Sequence, residues 1–328
     1  MRKMFGVLPA IAAGTIVLGM MSSTLAADMK KVAIAGWGPH PTLIETVRGF
    51  KTGLAEEGFV DGKTVTYDET NVNFDAALIP QMLNRLASAN PDLMATIATP
   101  VSLAAKQQLR SRTFPLVFTP VADPVHAGLV PSWDKGDKLI TGSSVMLDYD
   151  AVMDFFKKLM PQMKRLGVLY DTGDDSSKAA VDGMDAAARK ANIEIVRIGV
   201  DNPSELPQRV QSAAGRVDAL FTAASGRIQQ GMAAISATAH GAKLPVLTSV
   251  PQSVRQGYAL AAFALSFEQS GKAAGRIAGR ILKGEDPAGI PPYRATAAEH
   301  EPVINGRKLK ALGMDLPTAF ANCNCVVD

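Results

Sequence analysis

Small hydroxyl side chains stand at the ends of two short apolar runs of this sequence, and this pattern suits the binding of a polar solute. Thr99 follows the run Leu93–Ala98, and Thr119 ends the run Pro115–Thr119. Short apolar runs bounded by turn residues are typical of buried strands. In open α/β sheets ligands bind beyond the carboxyl ends of such strands, so these hydroxyls are candidate ligand contacts.

A helix is predicted directly after the first of these runs. Thr99 is expected to cap it, because a hydroxyl can accept a hydrogen bond from the first helical turn, and Pro100 suits the first helical position. The N–H groups of Val101 and Ser102 would then lie unbonded at the sheet edge, where a helix N-terminus favours an anionic or strongly polar group. Asp123-Pro124 repeats the arrangement after the second run. The sequence therefore predicts a polar rim.

Turns in the later half of the chain have the same character. Trp37 and Tyr170 occupy corresponding positions after the first strand of each half, so their rings are predicted to sandwich an apolar or planar part of the solute. The predicted ligand-binding residues all come from turns and are Trp37, Thr99, Val101, Ser102, Thr119 and Asp123 in the first half, with Tyr170, Asp171, Ser176, Ser225, Gly226 and Ser249 in the second.

Several of these residues have a structural alternative. Thr99, Asp123 and Ser225 are equally suited to capping helices, and Tyr170 is equally suited to packing in the core at a strand end. Trp37 lies among glycines and prolines, where a core position is less natural. The position of Trp37 therefore favours the cleft.

Motifs that would mark an enzyme are missing from the sequence. Gly36-Trp37-Gly38 follows a strand, but proline at position 41 replaces the third glycine of a dinucleotide-binding fingerprint. The sequence has no Gly-x-Ser-x-Gly elbow and no His-Glu-x-x-His pair, and His40 reads as a loop residue without an acid or serine partner. We therefore predict a binding protein with no catalytic residue, no cofactor and no metal.

Parallel strands would bring these turns together. From Lys31 onward, apolar runs alternate with amphipathic helical segments in the order β-α-β-α-β-α-β, which is typical of a parallel sheet covered by helices on both sides. The pattern restarts near Asp148, and the turns of the second half recur at intervals similar to those of the first. The local similarity of PDLMATIATP to VDALFTAASG also indicates an internal duplication.

Two such units predict an α/β fold of two Rossmann-like lobes that face each other across a cleft. Late segments remain after the duplication is accounted for, so the chain is predicted to cross between the lobes several times through a multi-segment hinge. We predict that residues 28–145 and 263–295 form the N-terminal lobe, and that residues 146–262 and 296–328 form the C-terminal lobe.

Residues 1–27 are predicted to be a secretory signal peptide. A basic start at Arg2 and Lys3 precedes an apolar stretch and a small-residue run, with cleavage near Ala26 or Ala27. A membrane anchor is the alternative, but the apolar stretch is shorter than the ~20 residues that a spanning helix needs. The expected location is the periplasm of a Gram-negative cell, without membrane insertion.

Composition narrows the partners further. The formal net charge is +3 and the basic residues are scattered, so neither nucleic-acid nor membrane binding is indicated. Cys323 and Cys325 are the only cysteines. An exported protein could oxidise them, although so short a loop strains a disulfide, and the sequence leaves their redox state open.

Beyond these features, the chain resembles a known family. The runs that carry the resemblance are GPHPTLIETVRGF, ATIATPVSLAAK, PLVFTPVADPVHAGLV, RLGVLYDTGDDSS and AAGRIAGRILKGEDPAGIP. They are similar to the substrate-binding proteins of ABC transporters, in the branch with the type I periplasmic-binding-protein fold that includes tryptophan- and tyrosine-type binders. The resemblance implies a monomeric receptor that closes on a small-molecule ligand and presents it to an ABC permease in the inner membrane.

The chain departs from this resemblance where an amine would bind. Amino-acid-binding relatives tend to carry Asp-Asn where this sequence has Ser225-Gly226, and an acid where it has Val250. A buried ammonium needs a carboxylate partner. Asp171 and Asp123 remain as candidates, and Arg227 would suit a solute with an additional anionic group.

The expected function is that of a periplasmic receptor for a small organic solute: an amino acid, an aromatic acid or another carboxylate. A periplasmic sensor for a membrane kinase is an alternative that the sequence does not separate from transport. An exported enzyme is a weaker alternative.

Overall fold

The computed structural model describes residues 29–328 of the chain together with Met1 and Gly6, without the side chains of residues 175 and 176. The predicted signal peptide therefore falls outside the described residues. Within the described part, none of the helices combines the length and the hydropathy that a bilayer crossing requires.

The first lobe is built on a sheet of five parallel strands. The strands are β1 (Lys30–Gly36), β2 (Val65–Asn71), β3 (Leu93–Ile97), β4 (Leu116–Val121) and β5 (Ile140–Ser144). The helices that alternate with them are α1 (Pro41–Glu56), α2 (Ile79–Ser88) and α3 (Thr99–Gln108). The spatial order is β2-β1-β3-β4-β5. Every residue of β3, β4 and β5 is buried, because helices cover both faces of the sheet.

The second lobe contains a sheet of seven strands. Its elements begin with α4 (Tyr149–Leu159), β6 (Arg165–Asp171), α5 (Asp175–Lys190), β7 (Glu194–Val200), α6 (Leu206–Ala213) and β8 (Ala219–Thr222). They continue with α7 (Gly226–Gln230), α8 (Met232–Gly241), β9 (Val246–Thr248), α9 (Pro251–Arg255) and β10 (Ala261–Ala264). After α10 (Phe267–Leu282), which belongs to the first lobe, come β11 (Glu301–Asn305), α11 (Gly306–Ala311) and β12 (Val326–Val327).

The two sheets repeat one topology. In the second lobe the order is β12-β11-β10-β9-β8-β6-β7, and β11 runs antiparallel to β10 whereas the other pairs are parallel. The order β2-β1-β3-β4 of the first sheet thus recurs as β7-β6-β8-β9. This is the duplicated α/β unit that the sequence pattern indicated, and it gives each lobe a point where the strand order reverses.

The segment after Ser225 is divided into two helices, α7 and α8, that meet at Gly231. A Cβ at Gly231 would lie 2.0 Å from Leu206 Cδ1, so a side chain at this junction would have to displace Leu206 of α6.

Helix α10 returns to the first lobe and packs directly on α1 through glycines. A Cβ at Gly53 of α1 would lie 2.0 Å from the Lys272 carbonyl oxygen, and one at Gly271 of α10 would lie 2.0 Å from the Thr46 carbonyl oxygen. Gly49 and Gly275 make equivalent contacts. The two backbones therefore touch, and this contact holds α10 against the first lobe although its sequence follows the second lobe.

The chain passes between the lobes three times: after β5, after β10 and after α10. The buried imidazole of His300 lies next to all three passages. The Asp148 N–H donates to Nε2 of His300 at 3.2 Å, so Nδ1 carries the proton and donates to the Thr296 carbonyl at 2.9 Å. The Phe263 ring, just before the second passage, lies 5.4 Å from the imidazole between the ring centroids. His300 is 5% exposed, so these contacts are shielded from water.

Cys323 and Cys325 are joined by a disulfide at the end of the chain. Cys325 is buried against the core of the second lobe, next to β12. The redox state that the sequence left open is therefore the oxidised one in this structure.

Helix α1 begins at a histidine cap and not at a simple loop residue. The Thr42 N–H donates to Nδ1 of His40 at 3.4 Å, and the Thr42 hydroxyl lies 2.8 Å from the same nitrogen. Burial lowers the pKa of the His40 imidazole. The neutral ring is therefore favoured in the folded state, and Nδ1 stays available as the acceptor that the cap needs.

Substitution of a glycine at the α1–α10 contact is expected to destabilise the protein. Gly53→Ala should lower the free energy of unfolding by about 1–3 kcal/mol, because the added methyl group overlaps a backbone carbonyl. Gly241→Ala is the matched control, since a Cβ at Gly241 meets nothing within 4 Å. Urea denaturation monitored by circular dichroism measures both variants. Equal stability of the two variants would contradict the close packing.

The His40 cap is expected to make stability depend on pH. The folded-state pKa lies below the ordinary value of 6.5, so the unfolded chain takes up the proton first as the pH falls, and the stability from this group is lost below that value. In His40→Asn the cap acceptor does not titrate. The melting temperature of the wild type minus that of His40→Asn should therefore decrease between about pH 7.5 and about pH 5.5. A difference that is constant with pH would show that the cap does not titrate.

Candidate functional site

The carboxyl edges of the strands meet between the lobes, where the N-terminus of α1 faces the second lobe. A cavity of about 20 Å³ lies between His40 and Thr42 on one side and Gln229, Val250 and Tyr258 on the other. This volume has room for about one water molecule, so the two lobes nearly touch at this point. The candidate cleft is therefore almost closed in this structure.

A second interlobe cavity lies beside the hinge and has a different character. Its volume is about 660 Å³, and it is lined by α1, α9, the start of α10 and the third passage between the lobes. Arg48 pairs with Glu268 at 2.6 Å, and Arg255 pairs with Glu301 at 2.7 Å. Half of the residues that line this cavity are charged, so it offers little apolar surface to enclose an organic solute. We therefore place the candidate site at the facing strand ends and not in the larger space.

Four of the predicted residues present groups that a solute could contact. Trp37 is half-buried, and its ring meets Phe74 edge-on at a centroid distance of 6.0 Å. Ser249 is 8% exposed, and neither its hydroxyl nor that of the half-buried Thr99 has a hydrogen-bond partner among the residues that the structure describes. Gly226 has open space where a side chain would lie.

The start of α3 differs from the prediction by one residue. Its cap is Ala98, which has a φ of 79°, and Thr99 occupies the first helical position with no capping bond. Because the helix begins earlier, the Ser102 N–H donates to the Ala98 carbonyl at 3.1 Å and is not free for a ligand. The N–H groups of Thr99 and Val101 stay at the open N-terminus, where no carbonyl precedes them.

Three other side chains on the predicted polar rim point into the core of the first lobe. The side chain of Val101 packs in the apolar core. The Ser102 hydroxyl lies 2.9 Å from both the Thr96 hydroxyl and the Ala98 carbonyl, and the Thr119 hydroxyl lies 3.2 Å from the Ser270 hydroxyl. All three side chains are fully buried. They differ from the prediction because a strand-end position does not reveal which way a side chain points.

Asp123 and Ser225 have the structural roles that were left open as alternatives. Oδ1 of Asp123 accepts hydrogen bonds from the N–H groups of Val125 at 3.0 Å and His126 at 2.9 Å. The Ser225 hydroxyl accepts from the Ile228 N–H at 3.2 Å and caps α7. Both side chains therefore satisfy backbone groups of their own turns.

The first turn of the second lobe is organised around an ion pair. Oδ1 of Asp171 accepts from the Gly173 N–H at 2.9 Å and from Nη1 of Arg227 at 3.0 Å. The same Arg227 nitrogen lies 3.3 Å from the Asp201 carbonyl. Tyr170 packs against the core of the second lobe. Ser176 belongs to α5, and its side chain lies outside the described part of the structure.

Residues that the sequence analysis did not select also face the cleft. His40, Thr42, Gln229, Ser253 and Tyr258 line the small cavity between the lobes. The Ser253 hydroxyl donates to Oε1 of Gln229 at 3.0 Å and so joins α7 to α9. These residues lie several positions beyond the strand ends, where a rule based on the first residues of each turn does not reach.

The sequence and the fold both match known proteins. Residues 31–323 match the family described as ABC transporter substrate binding protein. A tyrosine-binding protein of Clostridioides difficile (strain R20291) is 33% identical over 285 residues, which cover 87% of this chain and 81% of that protein. The family consists of solute-binding proteins and not of enzymes.

Two solved structures of two-lobed binding proteins match the fold over most of the chain. An ABC domain in complex with L-Trp from Streptococcus pneumonia has a TM-score of 0.83 at 26% identity, with 91% of this chain and 100% of that chain covered. A ligand-free, open substrate binding protein with adhesive properties from Clostridium difficile has a TM-score of 0.74 at 31% identity, with 92% and 99% covered.

The duplicated sheets, the hinge of three passages and the nearly closed cleft agree with these matches over almost the whole of the described chain. The fold is the two-lobed, periplasmic-binding-protein-like α/β fold. This protein belongs to the substrate-binding proteins of ABC transporters.

Proposed function

We propose that this protein binds a small carboxylate-bearing organic solute in the cleft between its lobes: an amino acid, an aromatic acid or another carboxylate. The observation that carries the proposal is the set of unbonded donors at the facing strand ends. They are the hydroxyls of Ser249 and Thr99 and the free N–H groups at the start of α3. Donors of this kind suit the oxygen atoms of a carboxylate at a helix N-terminus.

An aromatic body would fit the apolar part of the same cleft. Trp37 lies on the rim of the first lobe with its ring held by Phe74. Aromatic rings supply large contact area and prefer stacked or edge-to-face neighbours. The relatives' names, which refer to tyrosine and L-Trp, support the aromatic class for this chain as well.

Closure of the lobes would convert binding into a signal for transport. Contacts with both rims form only when the cleft is closed, so a bound solute shifts the population toward the closed state. Micromolar affinity corresponds to about −8 kcal/mol, which a few buried polar contacts and one aromatic contact can supply after the cost of ordering. The closed protein would then present the solute to its permease.

The partner and the location follow from the transporter context. An ABC permease in the inner membrane would receive the solute, and the predicted signal peptide would export the chain to the periplasm as a monomer. Membership of the ABC transporter substrate-binding family supports an extracytoplasmic receptor of this kind.

Solute binding is tested directly by identifying what the protein retains. Native mass spectrometry of protein purified without refolding should show an adduct of one small organic acid. A thermal-shift panel of amino acids, aromatic acids and dicarboxylates should then give one class that raises the melting temperature, because ligand at about 100 times its Kd stabilises the fold by about 2.7 kcal/mol. The same measurement is made with sugars and metal ions, and a rise in melting temperature with these alone would contradict the proposal.

Loss of one hydroxyl at the rim is expected to weaken binding without destabilising the fold. In Ser249→Ala the Kd of the retained solute should rise about tenfold or more, because a hydrogen bond to a charged group is removed. The apo melting temperature should hardly change, since this hydroxyl bonds nothing in the described structure. Calorimetric titration and thermal denaturation measure the two quantities.

Thr141→Val is the matched control for this variant. The Thr141 hydroxyl donates to the Ile290 carbonyl at 2.9 Å inside the first lobe. This variant should therefore lose stability and keep its affinity. An unchanged affinity in Ser249→Ala would place Ser249 outside the binding site.

A further inference from the structure

The acids at the two rims are already bonded within the protein. Asp123 accepts two backbone N–H groups through Oδ1, as described above. Asp148 accepts from the Ala151 N–H at 3.1 Å, and Asp75 accepts from the Ala77 N–H at 2.9 Å. Asp201 accepts a hydrogen bond from the Thr172 hydroxyl. These carboxylates stabilise turns and helix starts, so they are poorly placed to pair with a cation from a solute.

Asp171 is the most buried of these rim acids, and a cation lies at its side. It is 5% exposed, and its Oδ1 lies 3.0 Å from Nη1 of Arg227. The Arg227 side chain is itself 48% exposed and also reaches the Asp201 carbonyl, which fixes it across the turn. The pair is neutral overall. A second cation brought to Asp171 would share its carboxylate with Arg227 and would be repelled by the guanidinium.

Glu45 is an acid between the lobes whose carboxylate has no partner among the described residues. It lines the larger cavity beside the hinge and makes no hydrogen bond or ion pair in the described structure. Burial raises its pKa, while Arg48 and Arg255 act in the opposite direction. It lies beside two arginines in this charged space and does not line the small cavity between the strand ends. It therefore adds no carboxylate to the rim where a solute would bind.

Among the side chains that the structure describes, the rim acids named above are bonded within the protein, whereas the hydroxyls of Ser249 and Thr99 and the N–H groups at the start of α3 remain as unbonded hydrogen-bond donors. An ammonium enclosed there would be desolvated without a counter-charge, which costs several kcal/mol, whereas a carboxylate would meet the donors of Ser249, Thr99 and α3. We propose that the solute is an organic acid, aromatic in the first instance, that has a carboxylate but no ammonium group. This proposal rests on the proposed function and narrows its ligand class.

Matched pairs of ligands that differ only in the ammonium group test the proposal. Calorimetric titrations would compare L-tyrosine with 3-(4-hydroxyphenyl)propanoate, and L-tryptophan with 3-(indol-3-yl)propanoate. The deaminated acid of a pair should bind at least about tenfold more tightly, which corresponds to about 1.4 kcal/mol. An amino acid that binds as tightly as its deaminated partner, or more tightly, would overturn the proposal.

The chemical identity of the retained solute shows whether this proposal alone fails or whether the proposed function fails with it. If neither member of a pair binds, the solute released by denaturing the purified protein is treated with an amine-reactive reagent and identified by mass. An acid that does not react supports the absence of an ammonium group, and one that reacts overturns it. A solute without any carboxylate would contradict both proposals.

A variant that frees Asp171 gives a second, independent measurement. Arg227→Gln removes the cation from Asp171 and should shift the ratio of the two Kd values of a pair toward the amino acid by about tenfold. Arg209→Gln is the control, because Arg209 pairs with Glu205 on the exposed side of α6 at 2.9 Å. The control should leave the ratio unchanged. If the ratio of the two Kd values is the same in the wild type and in Arg227→Gln, the ion pair does not select against the ammonium group, and this part of the proposal is overturned.

Discussion

The backbone contact between α1 and α10 is the constraint on which the two-lobed structure depends. Gly53 and Gly271 let each helix approach the carbonyl oxygens of the other, at a distance that any side chain would prevent. Helix α10 follows a strand of the second sheet, yet this contact returns it to the first lobe. The chain must then cross back to form β11, so the number of passages through the hinge follows from one packing choice. His300 bonds across the first and third passages and packs beside the second.

Hydrogen-bond satisfaction separates structural hydroxyls from candidate binding groups. Ser102 and Thr119 lie at strand ends as Ser249 does, but their hydroxyls are bonded inside the first lobe. Ser249 is nearly as buried and has no partner in the described structure. Its hydroxyl oxygen is still in contact with solvent, since among the described residues Nε of Arg112 is the one fully buried side-chain polar atom without a hydrogen bond. The strand ends therefore carry both hydroxyls that are bonded within the first lobe and a hydroxyl, that of Ser249, that is free to bond a solute.

The ion pair of Asp171 and Arg227 sets the charge of one turn on the rim of the second lobe. The relatives named for tyrosine and L-Trp share the lobes, the hinge and most of the chain length with this protein. Here the acid after the first strand of the second lobe is neutralised from within. The charge that the site can accept thus depends on one neighbouring side chain, whereas the architecture depends on glycine packing far from the cleft.

The sequence by itself determined the α/β class, the duplicated unit and the family, because strand and helix periodicity and turn residues are local properties that the chain order preserves. It also identified Trp37, Thr99 and Ser249 as residues at strand ends. Only the tertiary structure decided that Ser102 and Thr119 turn inward, that Ala98 and not Thr99 begins α3, and that Arg227 reaches Asp171. These outcomes depend on side-chain direction and on contacts between residues distant in sequence, such as Thr119 with Ser270. The spacing of residues along the chain predicts neither the direction of a side chain nor a contact between distant residues.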